Sequence, residues 1–198
     1  MMFSSQDELV LASASRYRRA LMDQLRLRYT VCPADIDESQ QANETPVQLA
    51  TRLACEKARA VASRYPKSLI IGSDQVASLD DRSAFSKPGD HGSAVLQLRA
   101  MSGKTVQFHT AVCVLNAGTS VERSTVVTTE VRLRTLAGDC IEKYLRIDQP
   151  YDCAGSARIE GLGVALVERV RSDDPSALLG LPLIALVDLL AAEGVSVI

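Results

Sequence analysis

Five short stretches of the sequence carry residue types suited to phosphate chemistry. The first is Ser13-Ala14-Ser15-Arg16-Tyr17-Arg18-Arg19, set between an apolar run and a helical pattern. Hydroxyls, backbone N–H groups and arginines at a helix N-terminus make an anion site, because the orphan donors and the helix dipole both face the ligand. Plain capping by Ser13 or Ser15, with solvated arginines beyond, is the competing reading. The second is Asp74, near the end of Ser68-Leu69-Ile70-Ile71-Gly72-Ser73-Asp74-Gln75-Val76. A carboxylate at the carboxyl end of a buried strand is where α/β folds place catalytic groups, and partial desolvation suits it to general-base work or metal binding. An ordinary strand-end turn aspartate is the alternative. Lys57 borders the apolar stripe Ala50, Leu53, Ala54, Ala58, Val61 of a helical segment. From there it either snorkels outward or reaches into a cleft for an anion. Lys87-Pro88 reads as a cleft lysine or a plain turn. Glu38, in Asp35-Ile36-Asp37-Glu38, reads as a cleft carboxylate or a solvated acid.

These residues need a scaffold, and the pattern supplies one. Glu8–Ala12 reads as a buried strand, followed by a helix through Leu25 and a short strand at Tyr29–Cys32. Thr45-Pro46 opens a helix to about Arg64, with threonine as cap and proline in the first turn. A strand at Ser68–Val76 is followed by a loop through Lys87-Pro88-Gly89 and a helix from about Gly92 to Met101. Thr105–Leu115 and Val121–Leu133 are β-branched and predict a hairpin across Asn116-Ala117-Gly118. A helix over Gly138–Ile147, a strand or turn at Asp152–Ser156, a strand at Gly163–Val170 and a helix over Leu183–Glu193 complete the chain. Interspersed strands and helices predict an α/β fold with a mixed sheet. No internal repeat or Pro/Gly/Ser-rich linker interrupts residues 1–198, which predicts a single domain.

Composition narrows the function. The 198 residues are 46% hydrophobic and 23% charged, with a net charge of -2. Disordered, coiled-coil and collagen-like chains are excluded on that balance, and a nucleic-acid partner is not expected without a basic face. No apolar run approaches the roughly 20 residues that cross a bilayer, so no membrane association is expected. Asp7 and Glu8 stand where a secretory leader carries lysine or arginine, which predicts a cytoplasmic protein. The five cysteines (Cys32, Cys55, Cys113, Cys140, Cys153) contain no CxxC pair and are expected to be reduced, small hydrophobes. His91 and His109 form no pattern with them, and His109 is expected to be half-buried scaffold.

Taken together, LASASRYRR, DIDES, CEKARAVA, IIGSDQV, SKP, LRAMSGK, YDCAGSARIEGLG and GLPLIAL resemble, in order and over nearly the whole chain, the Maf-like nucleoside triphosphate pyrophosphatases. The resemblance implies an elongated mixed sheet flanked by helices, with two lobes around a central cleft, related to the inosine-triphosphate pyrophosphatase fold. It implies cleavage of a nucleoside triphosphate between the α- and β-phosphates with a divalent metal, Mg or Mn, and often a homodimer. By position, Asp74 matches the family's proton acceptor. Ser13, Ser15 and Arg18 match its phosphate-binding loop, and Glu38, Lys57 and Lys87 its other polar cleft residues. Asp74 and Glu38 are the candidate metal ligands. The residue types fit: a triphosphate carries close to four negative charges, and its hydrolysis requires cations and a base.

Base choice rests on three further positions. The branch acting on dTTP and UTP has Pro-Arg-Arg in the first motif, threonine after the aspartate and glutamine near the C-terminal glycine motif. Tyr17, Gln75 and Glu160 stand at those positions here, resembling the 7-methyl-GTP branch. N7-methylation leaves guanine cationic, so an aromatic face gains about 0.5–2 kcal/mol of cation–π attraction. The Glu160 carboxylate can accept from guanine N1 and N2 donors. That branch usually carries tryptophan where Tyr17 stands, and the family commonly has proline where Arg16 stands. The expected function is therefore hydrolysis of 7-methyl-GTP to 7-methyl-GMP and pyrophosphate. The alternatives are a dTTP/UTP pyrophosphatase and a non-catalytic nucleotide-binding regulator of septum formation.

Overall fold

Three apolar residues, Leu9–Leu11, form β1, buried on both faces. They lead through the Ser13–Ser15 loop into α1 (Arg16–Gln24) and then β2 (Tyr29–Val31). The computed structural model describes residues 8–80, 82–85 and 87–198; Asp7 of the N-terminal segment and Ser86 of the SKP motif lie outside the described residues.

Helix α2 (Pro46–Ala62) starts as its sequence requires. Thr45 Oγ1 accepts from Gln48 N at 3.2 Å, and Gln48 Oε1 accepts from Thr45 N at 2.9 Å, a reciprocal capping box with proline at the first turn. The small residues Ala50, Ala54 and Ala58 are all fully buried on one stripe, which lets the helix lie directly on β3 (Leu69–Ser78). Contact is closest at Gly72, where a Cβ would lie 2.0 Å from the Ala54 carbonyl oxygen. Only glycine fits there.

The remaining elements are β4 (Ala84–Phe85), α3 (His91–Met101), β5 (Thr105–Asn116), β6 (Val121–Leu133), α4 (Gly138–Asp148), β7 (Val167–Arg171) and α5 (Leu183–Ala192). They build one seven-stranded mixed sheet, ordered β2-β1-β3-β5-β6-β7, with β4 pairing to β3. β3 is the pivot: it runs parallel to β1, with Val10 opposite Ile70, and antiparallel to β5, with Asp74 opposite Ala111. Strand alternation sends Ile70 and Val76 into the core beneath α2. Leu69 and Ile71 go to the opposite core, with Leu21 of α1 and Leu186 of α5. A third core gathers α3, α4 and the far ends of the long strands around Leu98, Phe108 and Leu145. The α/β class and mixed sheet are as the sequence predicts.

One open alternative is decided and two local features differ from expectation. Residues Ala154–Ser156 form a 3-10 turn, so Asp152–Ser156 is the turn and not the strand. The strand expected over Gly163–Val170 begins only at Val167, because Leu162–Leu166 winds into 3-10 helix. There the Gly161 and Gly163 N–H groups both donate to the Arg158 carbonyl, and a Cβ on Gly163 would lie 2.4 Å from that oxygen, so the segment turns back on Arg158 instead of extending. His109 is buried and not half-buried, with Nε2 3.2 Å from Ser78 Oγ and Nδ1 2.9 Å from Thr128 Oγ1. It is scaffold, as expected.

Candidate active site

Strand alternation decides what β3 presents. Asp74 shares parity with Ile70 and Gly72 and faces α2, while Ser73 and Gln75 face the segment around 177–180. Lys57 projects from α2 towards the same point, and its side chain is only 8% exposed. It does not snorkel. Its Nζ lies 2.5 Å from Asp74 Oδ1 and 2.6 Å from Glu38 Oε1, and Lys87 Nζ lies 3.0 Å from Glu38 Oε2. Two lysines and two carboxylates thus form a chain, Lys87–Glu38–Lys57–Asp74. Glu38 is no merely solvated acid. Burial acts to raise its pKa, but hydrogen bonds and charge from Lys57 and then Lys87 outweigh it and hold the carboxyl down at about 2.

The first loop closes over this chain. Ser13 Oγ accepts from Ser15 N at 3.1 Å, and Ser15 Oγ accepts from Arg18 N at 3.4 Å, so both serines shape the helix entry. The capping reading and the anion-site reading therefore coexist, since the cap fixes the donors that an anion would meet. Arg18 Nε donates to the Gly180 carbonyl at 2.8 Å, and its Nη1 lies 3.5 Å from Ser13 Oγ. Burial pushes the Arg18 guanidinium down, and the charges of Asp74 and Glu38 oppose that shift.

All ten residues singled out from the sequence line one cleft of about 850 Å³: Asp74, Ser13, Ser15, Arg18, Glu38, Lys57, Lys87, Tyr17, Gln75 and Glu160. That size suits a nucleotide-scale ligand. Gln75 is less available than expected. Its Nε2 donates at 3.0 Å to Thr110 Oγ1 and to the carbonyls of Ala177 and Leu178, so the amide nitrogen ties β3 to that turn. Tyr17 already carries a cation, with the Arg16 guanidinium carbon 4.8 Å from the ring centroid and its Nη2 donating to the phenol oxygen at 2.7 Å. Glu160 stands exposed on the wall of the cleft.

Sequence reading missed how that wall is held. Asp148, the last residue of α4, is 8% exposed and pairs with Arg158 Nη2 at 2.5 Å. Its Oδ2 also accepts from Leu162 N at 3.0 Å, and a Cβ on Gly161 would come within 2.7 Å of that oxygen. The Glu160-Gly161 loop is thereby wrapped around one ion pair. The wall includes Tyr151, whose hydroxyl lies 3.0 Å from His91 Nδ1. Cys153 also lines the cleft, and burial, then Asp152, push its thiol up to about 12, away from nucleophilic use. An aspartate ending a helix ten residues before an arginine was the available signal, but nothing local distinguishes it from a solvated pair.

The donor set fits a hard divalent cation. Asp74 and Glu38 offer carboxylate oxygens that already converge on one ammonium, and phosphate oxygens would complete the oxygen coordination such ions take. A triphosphate entering beside these two carboxylates also requires neutralisation beyond what the paired lysines give.

The sequence model of the family described as "Maf-like protein" matches residues 8–193. Proteins named "7-methyl-GTP pyrophosphatase" are similar over nearly the full chain. That of Albidiferax ferrireducens is 49% identical over 98% of this chain and 96% of its own. That of Methylobacillus flagellatus is 51% identical over 96% of this chain and 98% of its own, and that of Cupriavidus pinatubonensis 50% identical over 94% and 93%. Among solved structures, a HAM1 protein from Coxiella burnetii aligns with 65% of this chain and 73% of its own, at TM-score 0.48 and 18% identity.

Proposed function

The chain belongs to the Maf-like protein family, and on that premise we propose that it hydrolyses 7-methyl-GTP to 7-methyl-GMP and pyrophosphate. The observation that carries the proposal is the pairing of two poles in one cleft. A cationic set with a base (Arg18, Lys57, Lys87, Asp74) and an aromatic and acidic pair (Tyr17, Glu160) line the same cleft. Relatives about half identical over the whole chain bear the name of that activity.

The residues divide the work along the nucleotide. Ser13, Ser15 and Arg18 grip the phosphates, with orphan N–H groups of the α1 N-terminus behind them. Asp74 accepts the proton of the attacking water. Its Oδ1 is fixed by Lys57, which orients the carboxylate and leaves Oδ2 for the base role. Lys57 and Lys87 exchange carboxylate partners for phosphate oxygens as the pyrophosphate leaves. Asp74 and Glu38 would hold a divalent cation, Mg2+ or Mn2+, which would supply charge neutralisation for the triphosphate. At the base end, Tyr17 stacks the cationic ring and Glu160 accepts from its N1 and N2 donors. Gln75 keeps its place in the wall by its ties to the Ala177–Leu178 carbonyls, which makes it a positioning residue for this pocket. The five unpaired thiols suit a reducing cytoplasm.

Pyrophosphate release measured with 7-methyl-GTP, GTP, dTTP and UTP, with and without Mg2+ or Mn2+, tests the reading. The highest kcat/KM is expected with 7-methyl-GTP. Preference for dTTP or UTP moves the chain to the other specificity, and binding without turnover on any of the four makes it a nucleotide-binding regulator.

A further inference from the structure

Between α2 and the β5–β6 pair lies a second group of ligating side chains. In β5, alternation turns Ala111, Cys113 and Leu115 towards α2. The β5–β6 register sets Ser124 opposite Cys113 and Glu122 opposite Leu115. Helix α2 contributes Cys55 and, one turn on, Arg59. The two sulfurs and a Glu122 carboxylate oxygen all lie within 4.8 Å of one another. None of these residues lines the cleft.

We propose that Cys55, Cys113 and Glu122 bind a thiophilic divalent cation of the Zn2+ class, clamping α2 to β5 and β6. Zinc holds thiolate at about 2.3 Å and carboxylate at about 2.0–2.2 Å, so tetrahedral donors stand about 3.5–3.8 Å apart. The observed spacing closes to that by small side-chain rotations. The thiols are already engaged with each other through a Cys55–Cys113 side-chain hydrogen bond. Arg59 grips both oxygens of Glu122, Nε at 2.7 Å and Nη2 at 2.6 Å. A carboxylate has about four lone-pair sites, so it can ligate without releasing arginine, which then acts as the outer partner that aims it. Cys113 is fully buried and Cys55 nearly so, but Glu122 is half-buried and Ser124 exposed. The ion therefore enters from the Glu122 edge, where water or the Ser124 hydroxyl can fill the fourth position. Two thiols become thiolates on binding, and two protons leave to solvent. Two sulfurs and one oxygen select zinc over Mg2+ or Mn2+, the reverse of the oxygen-only cleft.

Co2+ titration of chelator-treated protein provides the test, because a sulfur-to-cobalt charge-transfer band reports thiolate ligation and the cleft's carboxylates cannot produce it. One equivalent per chain is expected, displaced by Zn2+ but not by excess Mg2+, with release of about two protons. Zn2+ at about 100 Kd raises the unfolding midpoint by about 5–10 °C. Cys140→Ser leaves the band unchanged, whereas Cys55→Ala and Cys113→Ala abolish it. Glu122→Gln, at the open edge and outside the core, weakens binding by about 10–100-fold and covers the case in which a cysteine variant fails to fold. Absence of a sulfur band, or a band that survives in both cysteine variants, overturns the proposal.

Discussion

Lys57 Nζ lies 2.5 Å from Asp74 Oδ1 across the gap between α2 and β3. The contact joins residues 17 apart in sequence, on elements whose approach is set by Gly72 and the alanine stripe of α2. Packing and chemistry are therefore coupled at this point: the distance that permits the ion pair is the distance that only glycine allows.

Replacing Asp74 by asparagine keeps shape and removes the base. A fall in kcat of about 10²–10⁴-fold is expected, with thermal unfolding and nucleotide binding largely retained. Near-normal turnover would remove Asp74 from the proposed chemistry.

Gly72→Ala probes the coupling between packing and site. The new methyl meets the Ala54 carbonyl oxygen and the Ala58 amide nitrogen, both backbone atoms that cannot rotate away. Overpacking of this kind costs about 1–3 kcal/mol, which lowers the midpoint by about 2–12 °C for a chain of this size. Because α2 must shift outward with Lys57, kcat is expected to fall even below the unfolding temperature. Unchanged kcat with a lowered midpoint would separate the helix from the site.

Glu38 predicts an acid limb. Its folded pKa of about 2 lies below the ordinary 4.5, so its contribution to stability is full above about 4.5 and is lost as pH falls towards 2. In Glu38→Gln the decline of unfolding midpoint across that window should be shallower than in the parent. Its side chain is 42% exposed, so solvent screening keeps the effect small. Equal slopes for the two proteins would show that the lysines do not hold it.

Base choice is tested at Glu160 and Tyr17. Glu160→Gln should lower kcat/KM for 7-methyl-GTP by about tenfold to a hundredfold while leaving dTTP and UTP little changed. Tyr17→Arg should act in the same direction by repelling the methylated ring, and Tyr17→Trp should be neutral or better. A loss shared equally by all four nucleotides would place Glu160 outside base recognition.

Element order, caps and the identity of the cleft residues were legible because they depend on local patterns. Thr45-Pro46 announces its helix, β-branched runs announce β5 and β6, and the ten polar residues sit in short motifs. The wall around Glu160 was not legible. Gly163–Leu166 reads as the start of a strand, yet Gly161 and Gly163 each donate N–H to the Arg158 carbonyl while Leu162 N donates to Asp148. That winding follows from a tertiary ion pair, which overrides the apolar alternation of Leu-Gly-Val-Ala-Leu. The committed amide of Gln75 was hidden for the same reason, since its partners lie about a hundred residues away. The cluster of Cys55, Cys113 and Glu122 exists only through sheet register.

The Gly180 carbonyl accepts from Arg18, 162 residues away in sequence, and also from Ser73, 107 residues away. Contacts that span so much chain carry a large loop-closure entropy and form late in folding, after local pairs such as the β5–β6 hairpin. A growing or partly folded chain can thus hold most of its sheet before the phosphate-gripping loop meets the turn at Gly180. The cleft is therefore expected to open before the central strands, and hydrogen exchange under mild denaturant should show activity lost while β3 and β5 stay protected.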